Sequence, residues 1–459
     1  MKLVPELFII PHEERYVVYS PFSPKILSVG KAEALFLQLL QNDALPQNFP
    51  EGAAFRELLK REQFLVSEEQ ETLFFRVLQE DQQRGFDTKS TRITLFPTLD
   101  CNLACTFCYS SGGDKEKGKT TVLEGHFVRA AIDQVIQNAL EKGEQQIGLQ
   151  FHGGGEPTHG LGWLVMQNAV AYAKERAQKQ DLTVYVCLAS NGVLDNKKKE
   201  WFAKNVDEVQ LSFDGPDDMQ EQRPYKNGRN SFPEVFATIR FFEETGVNYS
   251  LRATVTNRTV NKLERLVDFV ADNTSQKKVH IEPVSITGRA LTTGEEVIPM
   301  EKFMAALSAA EAYGKVRGID VVCQRISETP QSRFCSAIRG SFTVAPGGYL
   351  TACPEVAEPK DAFSNIFLVG KYDGTTGQFV YDAERIEYLG NRSVLNLEAC
   401  TDCFAKYNCA GDCSVRLARE TGGDVYATDK NPRCELTREL FKRQLLDRLE
   451  GASLDLETR

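Results

Sequence analysis

Three cysteines stand close together in the run Cys101-Asn-Leu-Ala-Cys105-Thr-Phe-Cys108, with three and then two residues between them. Thiolates so spaced can hold three corners of an iron-sulfur cubane; a cubane has four irons, so one iron keeps a position open for another ligand. Zinc would ask for a fourth donor close by, and the sequence offers none there. Of the twelve cysteines in the chain, five crowd into residues 400–434. Thiols in a reducing compartment have no reason to pair as disulfides, so that density points to metal binding or catalysis. Cys187, inside an apolar stretch, reads instead as an inert core thiol.

Such chemistry needs loops held at one end of a rigid scaffold. Six stretches, Ile93 to Phe96, Ile147 to His152, Thr183 to Ala189, Glu208 to Phe213, Tyr249 to Val255 and Val279 to Pro283, read as strands separated by amphipathic helices. In the helix Phe127 to Leu140, for example, Phe127, Ala131, Ile132, Val135, Ile136, Ala139 and Leu140 share one face. The alternation marks a parallel sheet, and six such units make a partial barrel whose chemistry sits on loops leaving the carboxyl ends of the strands. The three cysteines follow the first strand. Gly153-Gly154-Gly155-Glu156-Pro157 follows the second, Ser190-Asn191-Gly192 the third, and Ser212-Phe213-Asp214-Gly215-Pro216 ends the fourth; Arg252 lies on the fifth. Singly these signals are weak: a glycine run is most often a turn, Ser212 and Asp214 serve equally well as turn or cap residues, and Arg252 as half of a structural ion pair. His152 and His159, flanking the glycine run, read as satisfied structural histidines.

The flanks differ in character. Residues 1 to about 88 carry two short extended stretches, Glu6 to Ile10 and Tyr16 to Tyr19, expected to pair as a hairpin. Helical patterns follow at Ala32 to Gln41, Phe55 to Glu62 and Glu69 to Asp81, and a charged segment, Gln79 to Arg92, reads as a linker. After about residue 315 the strand-helix alternation fades, cysteines dominate, and a helix is expected from Leu436 to Leu449. A weakly periodic, thiol-rich region is one that metal must help to fold. With 54 basic against 64 acidic residues the surface lacks the cationic excess that phosphate backbones require, so nucleic acid is not an expected partner. The start of the chain does not have the form of a signal peptide, and no apolar run approaches the roughly 20 residues of a membrane span, so a cytoplasmic protein without a membrane partner is expected.

The cysteine triad, with the glycine-glutamate-proline loop in register behind it, resembles the radical S-adenosylmethionine (SAM) superfamily. That resemblance implies a 4Fe-4S cluster on Cys101, Cys105 and Cys108 whose open iron chelates SAM. It further implies cofactor contacts from Gly154, Gly155 and Glu156, from Ser190 and Asn191, and from Ser212, Asp214 and Arg252, with Tyr109 near the adenine; Arg223, in the run Gln222-Arg223-Pro224, matches another family stretch. Tyr109 serves as readily in plain core packing.

Cys335, twelve residues, Gly348, four residues, Cys353, then Cys400, Cys403, Cys409, Cys413 and Cys434 resemble the SPASM domain, which carries two auxiliary 4Fe-4S clusters. By that resemblance Cys400, Cys403, Cys409 and Cys434 hold one cluster, and Cys335, Cys353 and Cys413 the other. Seven ligands do not close two cubanes, so Cys323 is the expected eighth unless that site stays open for substrate. The expected fold is α/β: a small α+β, winged-helix-like domain at 1–88, a partial (β/α)6 TIM-like barrel at 89–314, and a SPASM domain with its carboxyl-terminal helix at 315–459.

The resemblance implies three 4Fe-4S clusters plus SAM, reductive cleavage of SAM to a 5'-deoxyadenosyl radical, and hydrogen abstraction from a peptide. The amino-terminal hairpin and helices resemble peptide-recognition domains of ribosomal-peptide maturases, which implies a precursor peptide with a leader as substrate and a thioether or carbon-carbon crosslink as product. A flavodoxin- or ferredoxin-type protein is the expected electron donor. Formylglycine generation, as in sulfatase-maturing enzymes, is the alternative, although those carry Asp directly after the cysteine of the glycine-x4-cysteine motif, whereas here Cys353 is followed by Pro354 and Glu355. A zinc-bound module without catalysis is a third. No general base stands out.

Overall fold

The computed structural model describes residues 2–23, 25–42, 52–83, 85–114, 121–323, 326–327, 329–340, 342–428, 431 and 433–457. They form two compact units. One comprises Phe86–Gln324 with Ser336–Gly390, the other Met1–Gly85, Arg325–Cys335 and Asn391–Arg459.

The first unit is an α/β fold around an eleven-stranded, mostly parallel sheet. Its strands are β6 (Arg92–Leu95), β7 (Gln146–Phe151), β8 (Thr183–Ser190), β9 (Glu208–Ser212), β10 (Tyr249–Val255), β11 (Lys278–Pro283), β12 (Asp320–Cys323), β13 (Phe342–Ala345), β14 (Tyr349–Thr351), β15 (Leu368–Asp373) and β16 (Gln378–Tyr381), following β1 (Lys2–Leu3), β2 (Phe8–His12), β3 (Arg15–Tyr19), β4 (Ile26–Val29) and β5 (Leu65–Val66) of the second unit. Strands β6 to β12 lie side by side in chain order, all parallel. On the other side of β6, β13 joins in parallel and β14 to β16 continue antiparallel. The ladder ends at β12 and β16 and does not close on itself among the described residues.

All six expected strands are present within a residue or so at each end. Two further parallel strands, β12 and β13, of four residues each, were not among those expected. They carry the sheet beyond residue 314, so the tract expected to be one cysteine-rich domain is divided between the two units.

Alternation decides what each strand face does. In β10 Leu251, Ala253 and Val255 are buried while Ser250, Arg252 and Thr254 are only half so. The buried faces pack on the crossover helices, with the Tyr249 and Phe242 rings 5.7 Å apart. In α4 (Gly125–Lys142) the buried stripe is Val128, Ala131, Ile132, Val135, Ile136 and Ala139, and Leu140, expected in it, is 42% exposed at its edge. The opposite sheet face lines a cavity of about 550 Å³ with Arg92, Gln150, His152, Tyr185, Cys187 and Gln210. Cys187 is therefore not a core thiol as expected: Val186 and Leu188 take the core side, and Cys187 faces the cavity half-exposed.

In the second unit β2 and β3 form the expected hairpin, with Phe8 opposite Tyr19, His12 opposite Arg15, and Glu13 left-handed in the turn. β4 adds a third strand, and α1 (Lys31–Gln41), α2 (Gly52–Arg61) and α3 (Glu68–Gln83) follow, packing around Val18, Phe36, Leu37, Leu59 and Phe64. The same unit includes the last cysteines and the terminal helix Arg433–Glu457. No helix among the described residues is long and apolar enough to cross a membrane.

Candidate functional site

The chain leaving β6 folds back on itself to present Cys101, Cys105 and Cys108. Backbone N–H groups point at the sulfurs, Leu103 to Cys101 Sγ and Gly112 to Cys108 Sγ, each at 3.4 Å. Asn191 Nδ2 approaches Cys101 Sγ at 3.8 Å. Such donors favour thiolates over thiols. Burial dominates and pushes Cys105 up to about 12, against the pull of the Arg223 charge. Burial likewise pushes Cys101 up, reinforced by Cys105, Glu156 and Cys108, so the three thiols share one field. Among the described residues no three acidic, cysteine or histidine groups converge as ligands of a single ion must. Thiolates that each bind a different iron of one cubane need no such convergence. The donor set and its N–H bonds fit a 4Fe-4S cluster with one iron left open.

A residue that spacing did not flag, Arg289, clamps this loop from both ends. Its Nη1 donates to Cys105 O and its Nη2 to Gly112 O, each at 2.9 Å, while its Nε donates to Asp114 Oδ2 at 2.8 Å. The preceding Gly288 is left-handed, and a Cβ there would lie 2.3 Å from the carbonyl oxygens of Cys108 and Tyr109. The available signal was position alone: Thr287-Gly288-Arg289 lies on the loop that leaves β11, as the other site loops leave their strands.

The glycine loop lies flush against the backbone before the first cysteine. Gly153 and Gly154 are left-handed, and a Cβ on Gly155 would fall 2.0 Å from Asp100 O. The next residue, Glu156, donates its N–H to Asp100 O at 2.8 Å. Its buried carboxylate accepts four hydrogen bonds: Thr158 N and Thr158 Oγ1 at 3.2 and 2.8 Å, Ser190 Oγ at 3.0 Å and Asn191 N at 2.7 Å. Burial pushes the Glu156 carboxyl up while those bonds pull it down. Asn191 in turn donates from Nδ2 to Asn102 Oδ1 at 2.8 Å. One carboxylate thus ties the second-strand loop to the third, and Asn191 ties both to the cysteine loop.

The fourth loop is built around Asp214. It accepts Arg223 at two points, Gln222 Nε2 at 2.7 Å and Thr254 N at 2.7 Å, so its oxygens are filled by protein donors. From this segment Gln222 O and Pro224 O accept the N–H groups of Thr106 and Ala104 inside the cysteine loop. Arg252 sits between Ser212 and His280 in the strand register. Its positive charge reaches Tyr109, His152 and His280. Burial, then Cys108, Glu355 and Cys353, push the Tyr109 hydroxyl up, so those groups surround it. His152 lines the cavity rather than the core, and burial, then Arg252, holds it down to about 4.

In the second unit Cys400, Cys403, Cys409 and Cys434 come together: burial pushes Cys409 up, then Asp412 and the three other thiols. Their donor set also fits a cubane. Of the other set, Cys335 and Cys413 belong to this unit, and Cys323, at the end of β12, and Cys353 to the first.

Residues 95–270 match the radical SAM superfamily. An uncharacterized protein of Archaeoglobus fulgidus is 22% identical over 377 residues, 79% of this chain and 83% of that protein. The structure of native anSMEcpe with bound AdoMet is similar with a TM-score of 0.59 at 16% identity, over 78% of this chain and 98% of that one. Streptococcus suis SuiB bound to precursor peptide SuiA gives 0.51 at 16% identity, over 92% and 97%. These two likenesses concern the fold. The family match is independent of them and spans the three cysteines, the glycine loop and the Ser190, Ser212 and Arg252 loops, so residues 95–270 of this chain form a radical S-adenosylmethionine domain.

Proposed function

We propose that this radical SAM enzyme is a SPASM-type maturase that oxidatively modifies a ribosomally made peptide, forming a thioether or carbon-carbon crosslink. The observation that carries the reading is the joining of four loops, on Cys101–Cys108, Glu156, Asn191 and Asp214, into one hydrogen-bonded rim around a thiol triad.

With SAM bound, the cluster supplies a 5'-deoxyadenosyl radical. The chain's own residues bind and orient. Cys101, Cys105 and Cys108 hold the cubane, and Gly154 and Gly155 give SAM a bare backbone edge. Arg252, whose guanidinium suits a carboxylate, pairs with that of SAM, and Ser190, Asn191 and Ser212 meet the ribose side. Tyr109 lies by the adenine. Glu156 and Asp214 act through their neighbours, since protein donors occupy both carboxylates. Cys400, Cys403, Cys409 and Cys434 hold one auxiliary cluster, and Cys335, Cys353, Cys413 and Cys323 the other.

Support for a peptide substrate comes from the three-stranded sheet of β2, β3 and β4, whose edges could accept a leader, and from the likeness to SuiB over 92% of the chain. A flavodoxin- or ferredoxin-type donor completes the system. The test is anaerobic turnover with SAM, reductant and a candidate precursor, read by mass spectrometry. Loss of two hydrogens with release of 5'-deoxyadenosine supports a crosslink. Incorporation of one deuterium from heavy water without mass loss overturns it in favour of epimerisation.

Formylglycine formation is the second reading. The observation in its favour is the Glu355 carboxylate within electrostatic reach of Tyr109, next to Cys108. A Cys- or Ser-containing sulfatase peptide distinguishes it, since only that reading yields an aldehyde product.

A further inference from the structure

Arg392 is a fully buried arginine, and among the described residues no carboxylate forms an ion pair with it. Its three nitrogens donate to main-chain carbonyls: Nε to Val425 O at 2.6 Å, Nη1 to Asp412 O at 3.2 Å and Nη2 to Gly411 O at 2.5 Å. A buried cation is normally paired. Here burial weighs against the charge first, and the ionisable groups within electrostatic reach that favour it are, in order of strength, Cys413, Asp412, Cys335 and Cys400.

The carbonyls it grips belong to an unusual turn. Ala410, Gly411 and Asp412 are consecutive left-handed residues, with φ of 54°, 81° and 58°. Two of them are not glycine, so surrounding contacts must hold the turn. The turn joins Cys409 directly to Cys413, one from each proposed auxiliary ligand set. Its Asp412 carboxylate accepts Asn431 Nδ2 at 3.0 Å and pairs with Arg433 Nε at 3.1 Å, next to Cys434. A Cβ on Gly411 would sit 3.3 Å from Arg392 Nη1 and 2.7 Å from Leu397 Cδ1, so the guanidinium fits flush against bare backbone.

We propose that Arg392 is a positioning and redox-tuning residue that serves both auxiliary ligand sets: it fixes the turn from Cys409 to Cys413 and places one permanent positive charge among Cys335, Cys400 and Cys413. The proposal rests on the assignment of these cysteines as cluster ligands. An electron given up by a peptide radical to a cluster held by either set would add one negative charge beside Arg392 with no proton required. A buried cation favours that reduced state, so Arg392 raises both midpoint potentials and makes the clusters better electron acceptors. Arg suits the task because its rigid fork meets three carbonyls at once while it carries the charge.

The test is an anaerobic redox titration followed by electron paramagnetic resonance on the full-length, reconstituted chain, with iron counted in each sample. Arg392→Met is expected to lower the auxiliary potentials so that the ratio of reduced to oxidised cluster at a fixed poise falls at least tenfold, a shift of 59 mV for a one-electron couple. The Cys101–Cys108 cluster keeps its potential in the same sample. Arg392→Lys, which keeps a charge but not the three-point grip, is expected to load iron and to shift less. Full iron with unmoved auxiliary potentials in Arg392→Met overturns the tuning role, and so do equal shifts in both variants. If Arg392→Met fails to load, Arg392→Gln, which keeps donors to the turn but no charge, decides: lowered auxiliary potentials support the proposal, and full iron with unmoved potentials overturns it. A wild-type chain holding only about four irons, all lost in Cys101→Ala, instead sinks the ligand assignment beneath it.

Discussion

The Arg223 guanidinium meets the Asp214 carboxylate at two points, Nε to Oδ2 at 2.7 Å and Nη2 to Oδ1 at 2.9 Å, and both residues are buried. Its carbon also lies 4.8 Å from the centre of the Phe107 ring, between Cys105 and Cys108. The pair therefore supports the thiol loop from below while making no demand on the cofactor. Removing one partner leaves the other charged and buried, so Arg223→Met is expected to cost about 3–5 kcal/mol in unfolding experiments on the reconstituted protein. Arg223→Lys keeps the charge without the two-point fit and falls between. In the double variant Asp214→Asn/Arg223→Met the losses are less than additive; strict additivity would show the two do not act as a pair.

Substitution of Gly155 tests whether the glycine loop must touch the cysteine loop. Its Cβ would fall 2.0 Å from Asp100 O, a backbone atom that moves only with Cys101. Gly155→Ala is therefore expected to reduce both iron incorporation and 5'-deoxyadenosine formation by tenfold or more. Gly160 is the control: it is left-handed, but nothing lies within 4 Å of its would-be Cβ. Gly160→Ala costs about 1 kcal/mol of backbone strain and leaves the iron content intact. Equal iron contents in the two variants would remove the steric argument.

Glu156→Gln is nearly isosteric, yet it replaces one acceptor by a donor where all four contacts are donors or hydroxyls. If the amide nitrogen takes the Oε2 place it confronts the Asn191 N–H, and if it takes the Oε1 place it confronts Thr158 N. Either way a buried donor loses its partner, at about 1–3 kcal/mol. SAM affinity measured by equilibrium dialysis is expected to fall by roughly tenfold with the cluster retained. Unchanged affinity would mean the loops hold their places without this carboxylate.

What was legible in the sequence followed from how each feature is encoded. The six expected strands announced themselves as apolar stretches alternating with amphipathic helices, and the site loops through types that few other uses require: three clustered thiols and a glycine run ending in glutamate. Strands β12 and β13 lie where that alternation fades and cysteines dominate. Arg289 was missed because a clamp made of an arginine, two distant carbonyls and a distant carboxylate has no local pattern. The role of Asp214 was open between cofactor contact and local support, and its contacts with Arg223, Gln222 and Thr254 come from residues that only the fold brings together. Cys187 was misplaced for a related reason: alternation tells two faces apart, but when both are enclosed it does not say which faces a cavity.

His152 carries the last prediction, because that cavity sets its charge. Burial, then the Arg252 charge, holds its imidazole down to about 4, below the ordinary value near 6.5. The native state then keeps it neutral while the unfolded chain takes up a proton. Between about pH 6.5 and 4 the unfolded state binds more protons, so stability falls as pH falls through that window. The full loss is about 3 kcal/mol, complete near pH 4 and absent above 6.5. Carbon-13 imidazole NMR on the folded protein, with His152→Asn to assign the resonance, is expected to show no titration of this ring from pH 8 down to 5. A midpoint near 6.5 would mean that water enters the cavity freely and that Arg252 is not close enough to matter. In that case the guanidinium would also be too well hydrated to bind a carboxylate strongly, and its proposed pairing with SAM would fail with it.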